Sequence, residues 1–491
     1  MTSICTSNVT SGFIDLATFD EIEKYLYGGS DATAYFVRET RKSTWFTQVP
    51  VVLSKASGSS AFDQSWSVSI SRAGDYLLQN WLRTTFATVT LNAAAIAAGK
   101  FIRWTPNLMH NLIRECYISF NDLVAARFDN YHLDFWTAFT VPAGKQQGYN
   151  AMIGNTSDLT FPNTTLPAVT LNLPLPLFYG RDSGVALPTA ALPYNEMRIN
   201  FTFRDWTELL ITDVVGGVSG ATSATDLVLG APVLGNCQVW ANYAIVSNDE
   251  RKRMACAPRD ILIEQVQTAP RQTYSPGIGG NTQPSFDIRF SQAIKVLFFA
   301  VRNTTNKAEW SNYTAASPVI SPGPTINFTP SGAKDPIVTT SLIYENTSRL
   351  SCMGSDFFSL VNPYYNAPVI PTVVGFHSYS YSLDFICLDP LASTNYGKLT
   401  NVSIVPEASA AATVGANGTG NAASGQSSAQ TFEFIITAVN NNIIRVSGGA
   451  LGKHGKPKIG RCPDSCGKTI RDKHYNYHQS AISLCSIDIT A

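Results

Sequence analysis

Charge is scarce in this chain: only 14% of its 491 residues are Asp, Glu, Lys or Arg, against roughly a quarter in an ordinary soluble protein. The 35 basic and 35 acidic residues cancel to a formal net charge of zero. A protein that packages nucleic acid carries a basic surplus, so direct contact with a genome is not expected. Long apolar runs are missing as well. The strongest, Ile294–Val301, is short and interrupted by Lys295, whereas a bilayer-spanning helix needs about 20 apolar residues. The first residues, MTSICTSNVTSG, lack the basic start and apolar stretch of a signal peptide, so synthesis and retention in the cytosol are expected. The nine cysteines are odd in number and lack the spacing of a disulfide framework, which fits free thiols in a reducing compartment. No P-loop, HExxH or G-x-S-x-G occurs in its required context.

What is present is period-two alternation. Trp66, Val68 and Ile70 alternate with serines, and Leu171, Leu173, Leu175 and Leu177 alternate with Asn172, Pro174 and Pro176. Met197, Ile199, Phe201 and Phe203 follow the same rule, as do Phe286, Ile288 and Phe290, and Phe432, Phe434 and Ile436. Each reads as a strand with one buried face. Turn clusters such as Ser57-Gly58-Ser59-Ser60 and Pro322-Gly323-Pro324 separate such segments. Many short strands and few helices predict an all-β sandwich or barrel. Low charge then suits a surface covered by neighbours, because interface cores are depleted in charged residues.

Helices are the exceptions. Thr18-Phe19-Asp20-Glu21 predicts a capping box, with Phe19, Ile22 and Leu26 at helical spacing and Gly28-Gly29 as the stop, on an otherwise extended arm spanning 1–30. That helix either packs on its own domain or belongs to an arm reaching a neighbouring subunit. Phe128–Phe139 predicts a helix inserted in a loop, and Asn248–Met254 a short exposed helix between halves. The Gly/Ser-rich stretch Gly216–Ser223 places a linker at 213–235, giving domains at 31–212 and 236–452. An internal repeat supports two copies of one β-fold: an apolar strand ending in Phe120 or Tyr344, two acidic or amide residues, then Arg127-Phe128 or Arg349-Leu350. Residues 407–430, nearly free of charge, read as a flexible loop.

Catalytic candidates are few. His110 and His132 lie among Glu115, Asp122, Asp129 and Asp134, but no activated nucleophile accompanies them. His110 opens a strand-like segment, and structural or interface roles are expected. Ten Asn-x-Ser/Thr sequons, including Asn200 and Asn303, occur in a chain rich in those residues; chance explains them, since no secretory passage is indicated.

Longer stretches carry a resemblance. VTSGFIDLATFDEIEKYLYGG from Val9, SRAGDYLLQNWLR from Ser71, GYNAMIGNTSDL from Gly148, RDSGVALPTAALPYNEMRINF from Arg181, IRFSQAIKVLFFAVRNTT from Ile288 and SLIYENTSRL from Ser341 make the chain similar to the major capsid proteins of iridoviruses. The similar stretches run in order from about residue 9 to 452. The resemblance implies two tandem eight-stranded antiparallel jelly rolls with short helices in loops. It implies a homotrimer of pseudo-hexagonal outline tiling an icosahedral shell with neighbouring capsomers and with minor capsid and penton proteins. It further implies an internal membrane beneath the shell and assembly in the host cytoplasm, with no cofactor and no catalytic site expected.

The sequence departs from that family after Gly452. Residues 453–491 hold seven Lys or Arg against three Asp, a net of +4, with three cysteines and three histidines, and suggest an added segment or an altered reading frame. Cys462, Cys466, His474 and His478 match a zinc site in ligand type. Their central spacing is short for a finger fold and Cys485 is left over, so a cysteine-containing tail without metal is the preferred reading. Two rival functions share the fold. A jelly-roll glycan-binding or attachment module would read sugars through its loops. A cupin-type metalloenzyme needs clustered histidines, which the three scattered body residues His110, His132 and His377 do not offer.

Overall fold

A computed structural model describes residues 9–38, 40–121, 123–214, 219–256, 258–277, 283–315, 334–417, 429–447 and 450–452. The chain divides into two compact units, Met1–Trp45 and Phe46–Ala491. In the first, helices Val9–Ala17 and Glu21–Tyr27 expose every described side chain. The expected capping box is displaced by two residues. Because Val9–Ala17 is helical rather than extended, Thr18 closes that helix, its Oγ1 donating to the Ile14 carbonyl at 3.0 Å. Asp20 becomes the next cap, accepting from the Ile22 and Glu23 amides at 2.9 and 3.1 Å while Glu23 accepts from the Asp20 amide at 2.9 Å. The arm runs to Trp45, not to residue 30.

Sixteen of the strands described in the second unit frame two sandwiches. The first eight are β1 (Phe46–Val52), β2 (Ser65–Ser69), β3 (Tyr76–Phe86), β4 (Ile113–Phe120), β5 (Leu123–Asp129), β6 (Val169–Pro174), β7 (Met197–Phe203) and β8 (Leu234–Val246). The next eight are β9 (Arg259–Thr268), β10 (Phe286–Asp287), β11 (Ala293–Asn303), β12 (Ile337–Tyr344), β13 (Thr347–Gly354), β14 (His377–Ser380), β15 (Val402–Ala408) and β16 (Phe432–Ser447). The first set forms two sheets, ordered β1-β8-β3-β6 and β2-β7-β4-β5; the second forms β9-β16-β11-β14 and β10-β15-β12-β13. Adding eight to each number converts one sandwich into the other. All these pairings are antiparallel. The architecture is a double jelly roll.

The alternation read in the sequence is the alternation of burial: β7 and β15 bury every second residue along their length. β6 stops at Pro174, short of the expected Leu177, because Pro174 and Pro176 cannot donate to a ladder. The repeat at Phe120 and Tyr344 is one hairpin used twice. Phe120 pairs with Leu123 and Tyr344 with Thr347, each across a two-residue turn. Asn121, Glu345 and Asn346 take positive φ there, a conformation that short amide and acidic side chains tolerate.

Four expectations are corrected. The stretch 213–235 is not the boundary: Leu210–Val214 pairs with Lys100–Trp104, and β8 sits between β1 and β3. Within it Gly220–Ala221 folds back to pair with Ile211–Thr212, and the crossing comes after Val246 through the helix Asn248–Cys256. His110 lies in a short helix, Leu108–Leu112, that follows a left-handed Asn107, rather than in a strand. The expected loop at 407–430 begins with a helix, Ala410–Ala416, capped by Ser409. Phe286–Phe290 pairs only over Phe286–Asp287.

Candidate functional site: the seam between the sandwiches

The residues that look most functional gather where one sandwich meets the other. After β5 the chain enters a helix, Asn130–Thr140, capped by Asp129, whose Oδ1 accepts from the His132 amide at 2.9 Å. That helix buries Leu133, Phe135 and Phe139. Phe135 and Phe139 stack on Phe298 of β11 at 5.9 and 5.3 Å between centroids. β11 is therefore buried on both faces: Phe298 meets the first sandwich, while Phe299 turns inward to Phe358, His377 and Phe434. This explains the run Ile294–Val301, apolar but for Lys295, since a strand covered on both sides needs apolar residues on both faces.

Charges cross the same seam in compensated groups. Arg103, fully buried on Lys100–Trp104, holds Asp213 at 2.7 Å and also binds Glu309 from the second sandwich. Burial alone would lower the Arg103 pKa, but the two carboxylates outweigh it and raise it. Trp310, next in sequence, lies between two guanidinium groups, Arg204 at 3.5 Å and Arg302 at 3.9 Å from its ring centre, and its indole N–H donates to the Glu208 carbonyl at 2.9 Å. Burial brings Arg204 down to about 10, still a cation at neutral pH. Glu264 on β9 joins Arg181 of the first sandwich and Lys295 of β11, each at 2.7 Å. Lys295, the one charge in the apolar run, thus has its partner, and its Nζ also donates to the Cys387 carbonyl at 2.7 Å. Buried charges need such pairing to be tolerated.

The histidine–carboxylate candidates join this seam rather than an open cleft. Asp134 is buried and accepts from Asn107 at 3.1 Å, His110 Nδ1 at 2.7 Å, Ser311 at 2.8 Å and Tyr313 at 2.8 Å. Two of these donors belong to the second sandwich. His110 Nε2 meets the Tyr149 hydroxyl at 2.7 Å. Burial and the Asp134 charge push Tyr149 and Tyr313 well up, so both stay protonated and donate. His132, buried and stacked on Trp136, is lowered to about 3 by burial and by Arg181, which keeps it neutral. Glu115 faces Arg127 across the hairpin at 3.7 Å, an exposed pair worth little to stability. Asp122 lies outside the described residues.

His377 binds Asp335 and Ser355, both at 2.8 Å and both through Nε2. A nucleophilic triad uses the two ring nitrogens separately, so this trio ties chain segments together instead of activating Ser355. Burial alone would raise the Asp335 pKa, but His377 and Ser355 hold it below its ordinary value. Among the described residues no group of three His, Cys, Asp or Glu is placed to hold a metal. A groove lined by Ala87–Thr90, Leu227 and Leu229–Val233 carries no titratable side chain. Four described cysteines, Cys116, Cys237, Cys352 and Cys387, are free thiols. Cys462, Cys466, His474 and His478 lie outside the described residues. The sequon Asn303 is buried, and its amide donates to the Thr314 carbonyl at 3.3 Å.

A duplicated sandwich joined through a compensated seam is an architecture for building, and the known proteins that resemble it are builders. The pattern of the family described as "Major capsid protein N-terminus" matches residues 34–246, and that of "Large eukaryotic DNA virus major capsid protein" matches 250–452. The major capsid protein of Costelytra zealandica iridescent virus is 65% identical over 461 residues, covering 92% of this chain and 99% of that relative. The chain belongs to the iridescent virus major capsid protein family. Within it, the major capsid proteins of Invertebrate iridescent virus 6 and Frog virus 3 are 64% and 44% identical, again over 92% of this chain and 99% of each relative. Among solved structures, the quasi-atomic model of the PBCV-1 virus capsid superposes with a TM-score of 0.66 at 20% identity, covering 85% of this chain and 99% of the other. The Faustovirus major capsid protein gives 0.64 at 10% identity, covering 85% and 93%. These distant structures share the fold. The two family patterns divide between residues 246 and 250, at the crossing between the sandwiches. The chain is a structural component of the virion capsid.

Proposed function

We propose that three copies of this major capsid protein close into a pseudo-hexagonal capsomer that tiles an icosahedral shell. The carrying observation is the duplication: two sandwiches of identical strand order in one chain supply six similar blocks from three chains, and a ring of that kind needs head-to-tail contacts. Minor capsid and penton proteins then complete the shell over an internal membrane, and assembly proceeds in the host cytoplasm without direct contact with the genome. The resemblance and the zero net charge support this reading. The arm's exposed apolar residues, Phe13, Ile14, Phe19 and Ile22 among them, support its reaching a neighbouring subunit. A role without catalysis is supported by the burial of His110, His132 and His377. Native mass spectrometry of the purified protein tests the ring. Three chains per particle are expected; a chain that stays monomeric at high concentration would overturn it.

A further inference from the structure

The duplication also says where one copy meets the next. Inside the chain, the outer face of the sheet β9-β16-β11-β14 is covered. Val296, Phe298 and Ile435 are buried there, under the helix Asn130–Thr140 that follows β5 of the other sandwich. The edges meet too: Gln265 of β9 donates to the Ala125 carbonyl of β5 at 2.6 Å.

Each of these elements has a counterpart eight strands away, and there the partner is missing. The outer face of the sheet β1-β8-β3-β6 carries one apolar rung across all four strands, Val52 opposite Trp240, Trp240 opposite Trp81, Trp81 opposite Pro174. The two indoles stack at 6.1 Å and 8°. Val52 is 41% exposed, Pro174 is exposed and both tryptophans are only partly buried. The rungs on either side are mostly polar: Asn242 and Gln79 beside Pro50 on one, Gln238, Arg83 and Asn172 on the other. An apolar centre with a polar rim is the anatomy of an interface.

The matching cover is equally bare. After β13 come the helical segments Phe357–Val361 and Asn362–Asn366. They occupy the position that Asn130–Thr140 occupies after β5. There Leu133, Phe135 and Phe139 are at most 1% exposed, whereas here Leu360, Tyr364 and Tyr365 are 51%, 68% and 75% exposed. The edge strands repeat the contrast, since β1 and β13 are exposed along most of their length, and native proteins rarely leave such edges uncovered.

We propose that the Val52–Trp240–Trp81–Pro174 face of one copy is covered by the Leu360–Tyr365 segment of a second copy, with β13 beside β1, reproducing between chains the seam found within each chain. This rests on the ring-closed trimer. The occupant is a second copy because the chain already holds one worked example of the contact, and the two bare surfaces are the two halves of that example. The contact is heterologous, so three internal and three external seams alternate around a closed ring.

Trp240→Glu and Tyr365→Glu, made separately, test the assignment by native mass spectrometry, with circular dichroism to confirm the β fold. Each is expected to abolish the trimer at concentrations where the parent is fully trimeric. A second measurement does not depend on those variants folding. The thiol introduced by Tyr365→Cys, in a chain that still forms trimers, should react with maleimide at least tenfold more slowly than an unhindered peptide thiol. Trimers that persist in both glutamate variants, or an unprotected thiol in the trimer, would overturn the assignment while leaving the ring intact. A monomeric parent would instead remove the ring reading itself.

Discussion

Replacing Arg103 by methionine is expected to cost the fold about 3–5 kcal/mol, the usual penalty for stranding a buried charge. Methionine keeps most of the arginine's length and apolar volume, so the loss reports charge rather than a cavity. What it strands is a pair of carboxylates. Asp213 and Glu309 are 1% and 5% exposed at their side chains, and both are held by the one guanidinium. Because Glu309 comes from the second sandwich, the damage falls on the seam. Adding Asp213→Asn and Glu309→Gln to Arg103→Met should recover most of the loss, since the stranded charges are then gone. Urea unfolding of the single and triple variants checks this. A single variant within 1 kcal/mol of the parent would show that the cluster does not hold the sandwiches together.

Phe298→Ala is expected to cost about 3–5 kcal/mol as well, by lost burial and the cavity left behind. Its neighbour makes the informative comparison. Phe298 faces Phe135 and Phe139 across the seam, with Phe385 of its own half beside it, whereas Phe299 faces Phe358 and Phe434 inside its own sandwich. Both truncations should lower stability by similar amounts, but only Phe298→Ala should separate unfolding into two transitions. Calorimetry of the two variants decides the matter: a single cooperative transition in Phe298→Ala would mean that the aromatic stack does not couple the sandwiches.

Much of this was legible along the chain. Alternation at Met197–Phe203 and Phe432–Ile436 identifies strands because the buried face follows a period of two. The hairpin repeat at Phe120 and Tyr344 is legible because a two-residue turn demands particular residue types, so the same chemistry recurs wherever the fold does. The seam was not legible. Arg103 sits 110 residues from Asp213 and 206 from Glu309, and no local pattern links them. Lys295 did carry a signal, because a charge inside an apolar run calls for a buried partner, yet nothing in sequence names Glu264. The boundary was misplaced because glycine and serine report a loop, not what the loop connects. Thr18 was misassigned as a cap because capping boxes are degenerate, and the preceding helix took it first. His110 among carboxylates, with no nucleophile beside it, reads as structural, but nothing in sequence shows that Asp134 anchors Ser311 and Tyr313 by hydrogen bonds.

Cryo-electron microscopy of shells assembled from this chain tests the proposed capsomer most directly. Six sandwich-shaped densities should surround each capsomer axis, alternating between two shapes. One shape bears the helices at Asn130–Thr140 and Ala143–Ile153, the other the shorter segments at Phe357–Asn366, and three chains should account for all six. Six identical densities, each from a separate chain, would contradict it.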